Sequence, residues 1–399
     1  MNKETLQLYN EYIAHSYARN SLEISSGSGA LCSDENGRPL IDLSSGIGVN
    51  SLGFVNKFWV EAVKGQLDTL AHTSNLYYTR PQAELAKRLC ERTGMKRVFY
   101  ANSGAEANEG MIKTARKYSS DKYSHDRCEI ITLVNSFHGR TIATLAATGQ
   151  DFFHNNFGPF PGGFVYSEAN NPEDLKQKLT DKTCAIMIEC IQGEGGVIPL
   201  DDEYISAVAS LCKEKDILLL VDEVQTGVGR TGRFLCSEYW GLNPDVVSLA
   251  KGLGGGLPIG AVLFGEKTKD TLGPGDHATT FGGNPVICTG ALAVMDAIDD
   301  VFLQNVVDKG AYLTEKILAL PGVTGVTGKG LMLGASLEDG LVSGEIVANC
   351  IELGLVLLTA KAKLRFLPPL TITTEEIDKG VAILEQVLKK KKASEGDNA

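Results

Sequence analysis

The sequence lacks long hydrophobic runs, and this absence excludes several classes of protein. No segment of the 399 residues approaches the length that crosses a bilayer, and the N-terminus lacks the apolar core of a signal peptide. Positive charge is also scarce: the net charge is −11, so a phosphate backbone would be repelled. We therefore expect a cytoplasmic protein with no membrane partner and no nucleic-acid partner.

Motifs for disulfides, metals and nucleotides are absent as well. The nine cysteines form no Cys-x-x-Cys pair, which favours a reducing cytoplasm over a disulfide framework. The six histidines show no ligand spacing, so no metal site is predicted. The sequence contains no Gly-x-x-x-x-Gly-Lys-Ser/Thr, and the Gly-x-Gly-x-x-Gly at 227–232 follows an Asp-Glu pair and opens no evident helix. We interpret that glycine stretch as a loop.

Two apolar runs in the middle of the chain end in groups that can react. Ile217–Val221 and Val246–Leu249 are short enough to be strands buried on both faces of a parallel sheet. Asp222 follows the first run and Lys251 follows the second. In α/β folds the carboxyl ends of such strands form the edge where ligands bind. The sequence therefore predicts a carboxylate and an amine at that edge.

One chemistry needs both groups. The pyridinium ring of pyridoxal phosphate (PLP) requires an anion at its nitrogen, and its aldehyde requires an unprotonated amine. A buried lysine tends to lose its proton, which suits the second role. The pair Asp222 and Lys251 therefore indicates PLP. The alternative is a buried ion pair with no chemical role.

A candidate phosphate cradle lies earlier in the chain. Val98–Ala101 is predicted to be a strand, and a turn of small residues and a helix follow it. Backbone N–H groups at Ser103, Gly104 and Ala105 would face a ligand at the positive end of the helix dipole. Simple capping of the helix by Ser103 explains the same pattern equally well.

Three further side chains suit a ligand site. Phe137 and Arg140 follow the predicted strand Glu129–Val134 and offer a flat ring face and a fork for a carboxylate. A core aromatic and a surface arginine are the more common interpretation of such a pair. Glu194 lies in a glycine-flanked loop, where a solvated charge is also common. From about residue 310 the pattern changes to a compact C-terminal α/β domain.

Taken together, six stretches resemble the class III (ornithine-type) aminotransferases, which are PLP enzymes of fold type I. The stretches are NSGAEAN, FHGRT, IQGEGG, VDEVQTGVGRTG, LAKGLGGGLPIGA and GPGDHATTFGGNP, and the likeness extends from HTSNLYY to LRFLPPL. The resemblance implies an α/β fold whose large PLP-binding domain, 47–294, has a mostly parallel seven-stranded sheet. It also implies a smaller α/β domain made of 1–46 and 295–399.

The resemblance assigns the contacts to the cofactor ring. Lys251 would carry PLP as a Schiff base, and Asp222 would keep the pyridine nitrogen protonated. Phe137 would stack on one face of the ring and Val224 would pack on the other. Gln225 would contact the phenolic oxygen.

It also assigns the surroundings of the phosphate. Gly104 and Ala105 would donate backbone N–H groups to the phosphate, with Ser103 beside them. His138 would lie close to the ring without an assigned catalytic role. Thr280 would reach the phosphate in a neighbouring subunit, so the resemblance implies a homodimer with its sites at the interface.

Substrate contacts follow from the same resemblance. Arg140 would hold the α-carboxylate of an acylated ornithine or the side-chain carboxylate of glutamate, and Arg365 would hold the α-carboxylate of glutamate. Glu194 would pair with Arg365 while the ω-amine donor is bound, and Thr279 would border the acyl-amino-acid site. Gly46 stands where ornithine δ-aminotransferases have an aromatic residue, which favours an acylated, bulkier donor.

The likeness is greatest to the members of the class that act on N-acetylornithine. It implies transfer of the δ-amino group to 2-oxoglutarate, giving N-acetylglutamate 5-semialdehyde and glutamate, as in arginine biosynthesis. Succinylornithine, succinyl-diaminopimelate, ornithine and 4-aminobutyrate are alternative donors. A PLP aminomutase or epimerase would need no 2-oxoglutarate. A non-enzymatic binding protein is disfavoured, because a scaffold has no use for a lysine opposite a buried aspartate.

Overall fold

The computed structural model describes residues 2–396, and the side chains of residues 2–392. The helices are α1 Lys3–Tyr12, α2 Ser45–Gly48 (a single irregular turn), α3 Lys57–Leu67, α4 Arg80–Thr93, α5 Gly104–Lys122, α6 Ile142–Ala147, α7 Pro172–Lys178, α8 Asp202–Glu214, α9 Pro285–Ala297, α10 Asp300–Leu318, α11 Ser343–Glu352 and α12 Thr374–Gly396. The strands are β1 Ile24–Ser28, β2 Leu31–Asp34, β3 Pro39–Asp42, β4 Arg97–Ala101, β5 Glu129–Leu133, β6 Phe164–Ser167, β7 Thr183–Ile188, β8 Ile191–Gln192, β9 Ile198–Pro199, β10 Leu218–Asp222, β11 Val246–Leu249, β12 Gly260–Phe264, β13 Val323–Lys329, β14 Met332–Leu337, β15 Leu355–Val356, β16 Leu358–Ala360 and β17 Lys363–Phe366.

A seven-stranded sheet forms the centre of the molecule, in the order β4-β12-β11-β10-β7-β5-β6. Only β12 runs antiparallel to its neighbours, and the other pairs are parallel. Every residue of β7, β10 and β11 is buried, because helices cover both faces of a parallel sheet. The predicted α/β fold with a mostly parallel seven-stranded sheet is confirmed.

The register of the central strands places the two reactive groups. β10 and β11 are adjacent and parallel, and Asp222 pairs with Ser248. Lys251 lies three residues beyond Ser248, so it follows the carboxyl end of the neighbouring strand. The strand predicted at Ile217–Val221 is observed one residue later, so Asp222 is its last residue. Both groups therefore lie at the same edge of the sheet, as predicted.

A second group of sheets joins the two ends of the chain. One has the order β1-β2-β3-β15 and another has the order β13-β14-β17-β16. β15 pairs parallel with β3, with Leu355 opposite Ile41. An N-terminal segment is therefore completed by a strand that comes more than 300 residues later.

Helix ends in this region follow from capping residues. α10 begins at Asp300, and the Asp299 side chain accepts the N–H of Phe302 at 2.7 Å. α12 begins with a capping box: the Glu376 side chain accepts the Thr373 N–H at 2.8 Å, and the Thr373 side chain accepts the Glu376 N–H at 3.2 Å. Within residues 2–396, none of the helices combines the length and the apolar character needed to span a membrane.

Candidate active site

A cavity of about 370 Å³ lies at the carboxyl ends of the central strands. Most of the predicted site residues line it: Ser103, Gly104, Ala105, Phe137, His138, Arg140, Asp222, Val224, Gln225 and Lys251. Glu194, Thr279, Thr280 and Arg365 lie outside this lining. Residues from four separate parts of the chain therefore converge on one space.

Asp222 is buried at the base of the cavity and held by several donors. Its Oδ2 accepts hydrogen bonds from His138 Nδ1 at 2.8 Å and from Asn108 Nδ2 at 2.7 Å. Its Oδ1 accepts the Val224 N–H at 3.0 Å. Asn108 was missed by the sequence analysis, although it lies one helical turn after Gly104 on the buried face of α5. These contacts fix the direction in which the carboxylate points.

His138 is enclosed beside this aspartate. Burial acts to lower the pKa of His138, but the hydrogen bond and the negative charge of Asp222 outweigh burial and raise the pKa above its ordinary value. Its Nε2 is buried and has no hydrogen-bond partner among the described residues. The ring is therefore locked at Nδ1 and leaves one polar atom unsatisfied.

Lys251 has the properties of a poised nucleophile. Burial lowers the pKa of its amine, and the nearby carboxylates of Glu194 and Asp222 only partly oppose this effect. In the described part of the chain its Nζ makes neither a hydrogen bond nor an ion pair. Its backbone φ is 41°, a strained value for a side-chain-bearing residue and one that clusters at functional sites. An amine with a lowered pKa and no partner can attack a carbonyl carbon.

The start of α5 forms one wall of the cavity. The Ser103 side chain caps the helix by accepting the Glu106 N–H at 3.2 Å, so the capping interpretation is correct. This bond leaves the N–H groups of Gly104 and Ala105 at the positive end of a 19-residue helix. A Cβ atom at Gly104 would lie 2.6 Å from Cγ1 of Val224, so only glycine permits this packing. Ser103 can therefore cap the helix while the N–H groups of Gly104 and Ala105 remain available to an anion.

Glu189 connects two loops that border the cavity. It accepts the Phe137 N–H at 2.9 Å and the Gly193 N–H at 3.4 Å. Burial raises the pKa of Glu189 to about 7, and the neighbouring His138 opposes the shift. The backbone at Phe137 is thereby tied to the loop that carries Glu194.

Glu194 and Arg365 form an ion pair, although 171 residues separate them in sequence. Arg365 Nη1 donates to Glu194 Oε1 at 2.5 Å, and the arginine side chain is only 4% exposed. Burial acts to raise the pKa of Glu194, but the charge and hydrogen bond of Arg365 outweigh it and lower the pKa. Arg365 Nε is buried with no partner among the described residues. The guanidinium therefore retains capacity for a further acceptor.

The remaining predicted residues lie at the rim. The Arg140 side chain is exposed, and its guanidinium lies over the rings of Phe137 and Phe153. Thr279 Oγ1 accepts a hydrogen bond from Asn102 Nδ2 at 3.1 Å. Thr280 is exposed and does not reach the cavity of its own chain.

These residues fit PLP. A free amine and a buried carboxylate face the same cavity, and a helix N-terminus supplies a place for a phosphate. Gln225 Oε1 is buried without a partner, as is His138 Nε2, so polar atoms remain for a ligand to satisfy. Fold and site together define a PLP-dependent enzyme of fold type I.

Comparison with known proteins gives the family. A sequence model of the family described as aminotransferase class III matches residues 12–388. The acetylornithine aminotransferase of Haemophilus ducreyi is 52% identical over 383 residues, which cover 96% of this chain and 98% of that protein. The acetylornithine aminotransferase of Caldanaerobacter subterraneus is 47% identical, covering 95% of this chain and 97% of that protein.

Solved structures agree with this assignment. The ornithine aminotransferase of Toxoplasma gondii superposes with a TM-score of 0.93 at 30% identity, covering 98% of this chain and 96% of that one. The N-acetylornithine aminotransferase of Stenotrophomonas maltophilia gives a TM-score of 0.85 at 34% identity, covering 98% of this chain and all of that one. The chain belongs to the class III aminotransferases, and it is a PLP-dependent enzyme.

Proposed function

We propose that this enzyme transfers the δ-amino group of N-acetylornithine to 2-oxoglutarate, giving N-acetylglutamate 5-semialdehyde and glutamate, as in arginine biosynthesis. The observation that carries this proposal is that two arginines differ in their availability to a substrate carboxylate. Within residues 2–392 Arg140 has no anionic partner, whereas Arg365 is paired with Glu194. An enzyme that alternates between a donor with one carboxylate and an acceptor with two requires one arginine that is always available and a second that is available only to the acceptor. The names of relatives at up to 52% identity support the same donor.

The side chains around the cavity have separable tasks toward the cofactor. When bound, PLP withdraws electron density from the carbon that carries the transferred amine, which makes a proton on that carbon labile. Asp222 would keep the pyridine nitrogen protonated, and the amine of Lys251 would accept and return the labile proton. Phe137 and Val224 would hold the ring between them, and Gln225 would contact its phenolic oxygen.

The phosphate has its own set of contacts. Backbone N–H groups of Gly104 and Ala105 would donate to it at the start of α5, beside Ser103. His138 orients Asp222 through their 2.8 Å hydrogen bond and would lie close to the ring. No metal ligand is required by this assignment.

Substrate binding uses the two arginines in turn. Arg140 holds the α-carboxylate of N-acetylornithine or the side-chain carboxylate of 2-oxoglutarate. Arg365 holds the second carboxylate of the acceptor after Glu194 releases it, and Thr279 borders the acyl group. The 2.5 Å ion pair corresponds to the state that receives the donor, because Glu194 then masks the second carboxylate position.

We expect Glu194→Gln to separate the two half-reactions. Without the carboxylate, Arg365 stays available, so the reaction with glutamate should keep its rate or become faster. The reaction with N-acetylornithine should slow by about tenfold, because an unmasked buried cation faces the donor. Stopped-flow absorbance of each half-reaction measures both effects. Equal slowing of the two half-reactions would contradict the masking role.

A homodimer with shared sites is the proposed assembly. Thr280 is exposed, and so is the adjacent Phe281, at 60%. The Phe281 ring lies against His72, with 5.4 Å between ring centroids. A partner subunit would cover this surface and bring Thr280 to the phosphate of the partner's cofactor.

All nine cysteines are unpaired, which supports a cytoplasmic location.

The donor assignment is tested by visible absorbance of the purified holoenzyme. N-acetylornithine alone should bleach the cofactor band, and 2-oxoglutarate should restore it. Succinylornithine, succinyl-diaminopimelate, ornithine and 4-aminobutyrate should bleach the band more slowly. If the band bleaches fastest with another of these amines, that amine would replace N-acetylornithine as the proposed donor. An aminomutase or epimerase would instead turn over continuously with no acceptor.

A further inference from the structure

The guanidinium of Arg140 is supported by rings and by no polar group. Its Cζ lies 4.1 Å from the centroid of the Phe153 ring and 5.5 Å from the centroid of the Phe137 ring. Its nitrogens donate no hydrogen bond to any residue of the described chain and form no ion pair there. The side chain is nevertheless exposed, so it could otherwise adopt many rotamers. The aromatic contacts are therefore what orients this arginine.

Phe153 makes the shorter of the two contacts. It ends the short 3₁₀ turn Asp151–Phe153, and its N–H donates to Gln150 O at 3.0 Å. Its ring meets Phe137 edge-on, with centroids 6.0 Å apart and planes at 75°. Phe153 therefore links the predicted ring-stacking residue to the predicted carboxylate-binding arginine, although it does not line the cavity itself.

Contact with a ring face leaves the guanidinium N–H groups of Arg140 available to a ligand. A guanidinium over a ring face is attracted by the negative quadrupole of that face, while its N–H groups lie in the guanidinium plane and remain available. A carboxylate can then bind in the bidentate manner without first ordering a loose side chain. Such preorganisation lowers the entropy cost of binding an anion.

We propose that Phe153 is a specificity-determining positioning residue, the platform that directs Arg140 toward the carboxylate of the amino donor. This inference rests on the proposed function, since it assigns a donor carboxylate to Arg140. It predicts that Phe153 acts only on substrates that carry a carboxylate at that position. A residue that merely supported the local fold would affect all substrates alike.

The experiment compares two donors that differ in one group. N-acetylputrescine has the acetyl group and the terminal amine of N-acetylornithine but lacks the α-carboxylate. Single-turnover bleaching of the holoenzyme with each donor gives a second-order rate constant without involving 2-oxoglutarate. For Phe153→Leu we expect this constant to fall about tenfold with N-acetylornithine and to change by less than about twofold with N-acetylputrescine.

Matched variants sharpen the comparison. Phe153→Tyr keeps a ring face under Arg140 and should retain the wild-type preference between the two donors. Arg140→Leu should abolish that preference. Phe157→Leu removes an exposed phenylalanine of the same segment, at 56% exposure, and should leave both rate constants unchanged.

Two results would overturn the proposal. Equal losses with both donors in Phe153→Leu would show general packing, and no loss with either donor would show that Phe153 has no role. If the donor assignment itself is wrong, the cofactor band of the wild-type enzyme will not bleach with N-acetylornithine. In that case ornithine and putrescine, which differ by the same carboxylate, test Phe153 in the same way.

Discussion

We expect Lys251→Ala to lower the turnover number with N-acetylornithine and 2-oxoglutarate by at least about 10⁴-fold, because in the proposed mechanism this one residue supplies both the nucleophile and the proton shuttle. No other described amine could take over this position: Lys251 alone among the lysines lines the cavity. Steady-state glutamate production measures the loss. Rates within tenfold of the wild type would remove Lys251 from the mechanism.

Lys309→Ala is the matched control for this substitution. Burial lowers the pKa of Lys309 as it does that of Lys251, but the Lys309 amine donates to Leu370 O and lies outside the cavity. Turnover of this variant should remain near that of the wild type. The comparison separates loss of a buried lysine from loss of the reactive one.

Co-expression with a second variant tests the shared site. In a mixed dimer of Lys251→Ala and Thr280→Val, one site would combine an intact Lys251 with an intact Thr280 from the other chain. Activity per site should then exceed the average of the two parent dimers, because Thr280→Val alone weakens PLP retention. Activity equal to that average would place Thr280 and Lys251 of one chain in the same site and contradict the proposed sharing.

The second large effect is expected for Asp222→Asn, which should lower kcat/KM by about 10³. The substitution preserves size but removes the negative charge that, in the proposed mechanism, keeps the pyridine nitrogen protonated. It also places an amide where Asp222 Oδ2 accepts from both His138 and Asn108. The cofactor spectrum should shift together with the loss of rate, and an unchanged spectrum with normal kinetics would exclude the assigned role.

Asp245→Asn controls for disruption of the strand. Asp245 lies near the opposite end of β10, where its Oδ2 accepts the Leu219 N–H at 2.9 Å. Its replacement weakens a comparable contact of the same strand without touching the cavity. Thermal unfolding of this variant should change more than its kinetics, whereas Asp222→Asn should show the opposite.

The central sheet and its reactive edge were predictable because they depend on local patterns. Runs such as Val246–Leu249 are apolar without alternation, which is typical of strands covered on both faces. The ends of those runs then place Asp222 and Lys251 on one edge by topology alone.

Contacts between distant segments could not be derived from such patterns. Periodicity indicates which side chains are buried, but it does not indicate which buried surfaces meet. Asn108 under Asp222 and Phe153 beneath Arg140 depend on the packing of separate elements. The pairing of Arg365 with Glu194 was predicted from the family resemblance alone. Arg365 lies in β17 and Glu194 in the loop between β8 and β9, so no local sequence pattern indicates that they meet.

The parallel pairing of β3 with β15 also sets an order of events during synthesis of the chain. The strand that completes the sheet around Ile41 does not exist until residue 355 has left the ribosome. All seven strands of the central sheet lie between residues 97 and 264, so that sheet is complete about 90 residues sooner. The walls around Asp222 and Lys251 can therefore assemble before the segment that carries Arg365 has been synthesised.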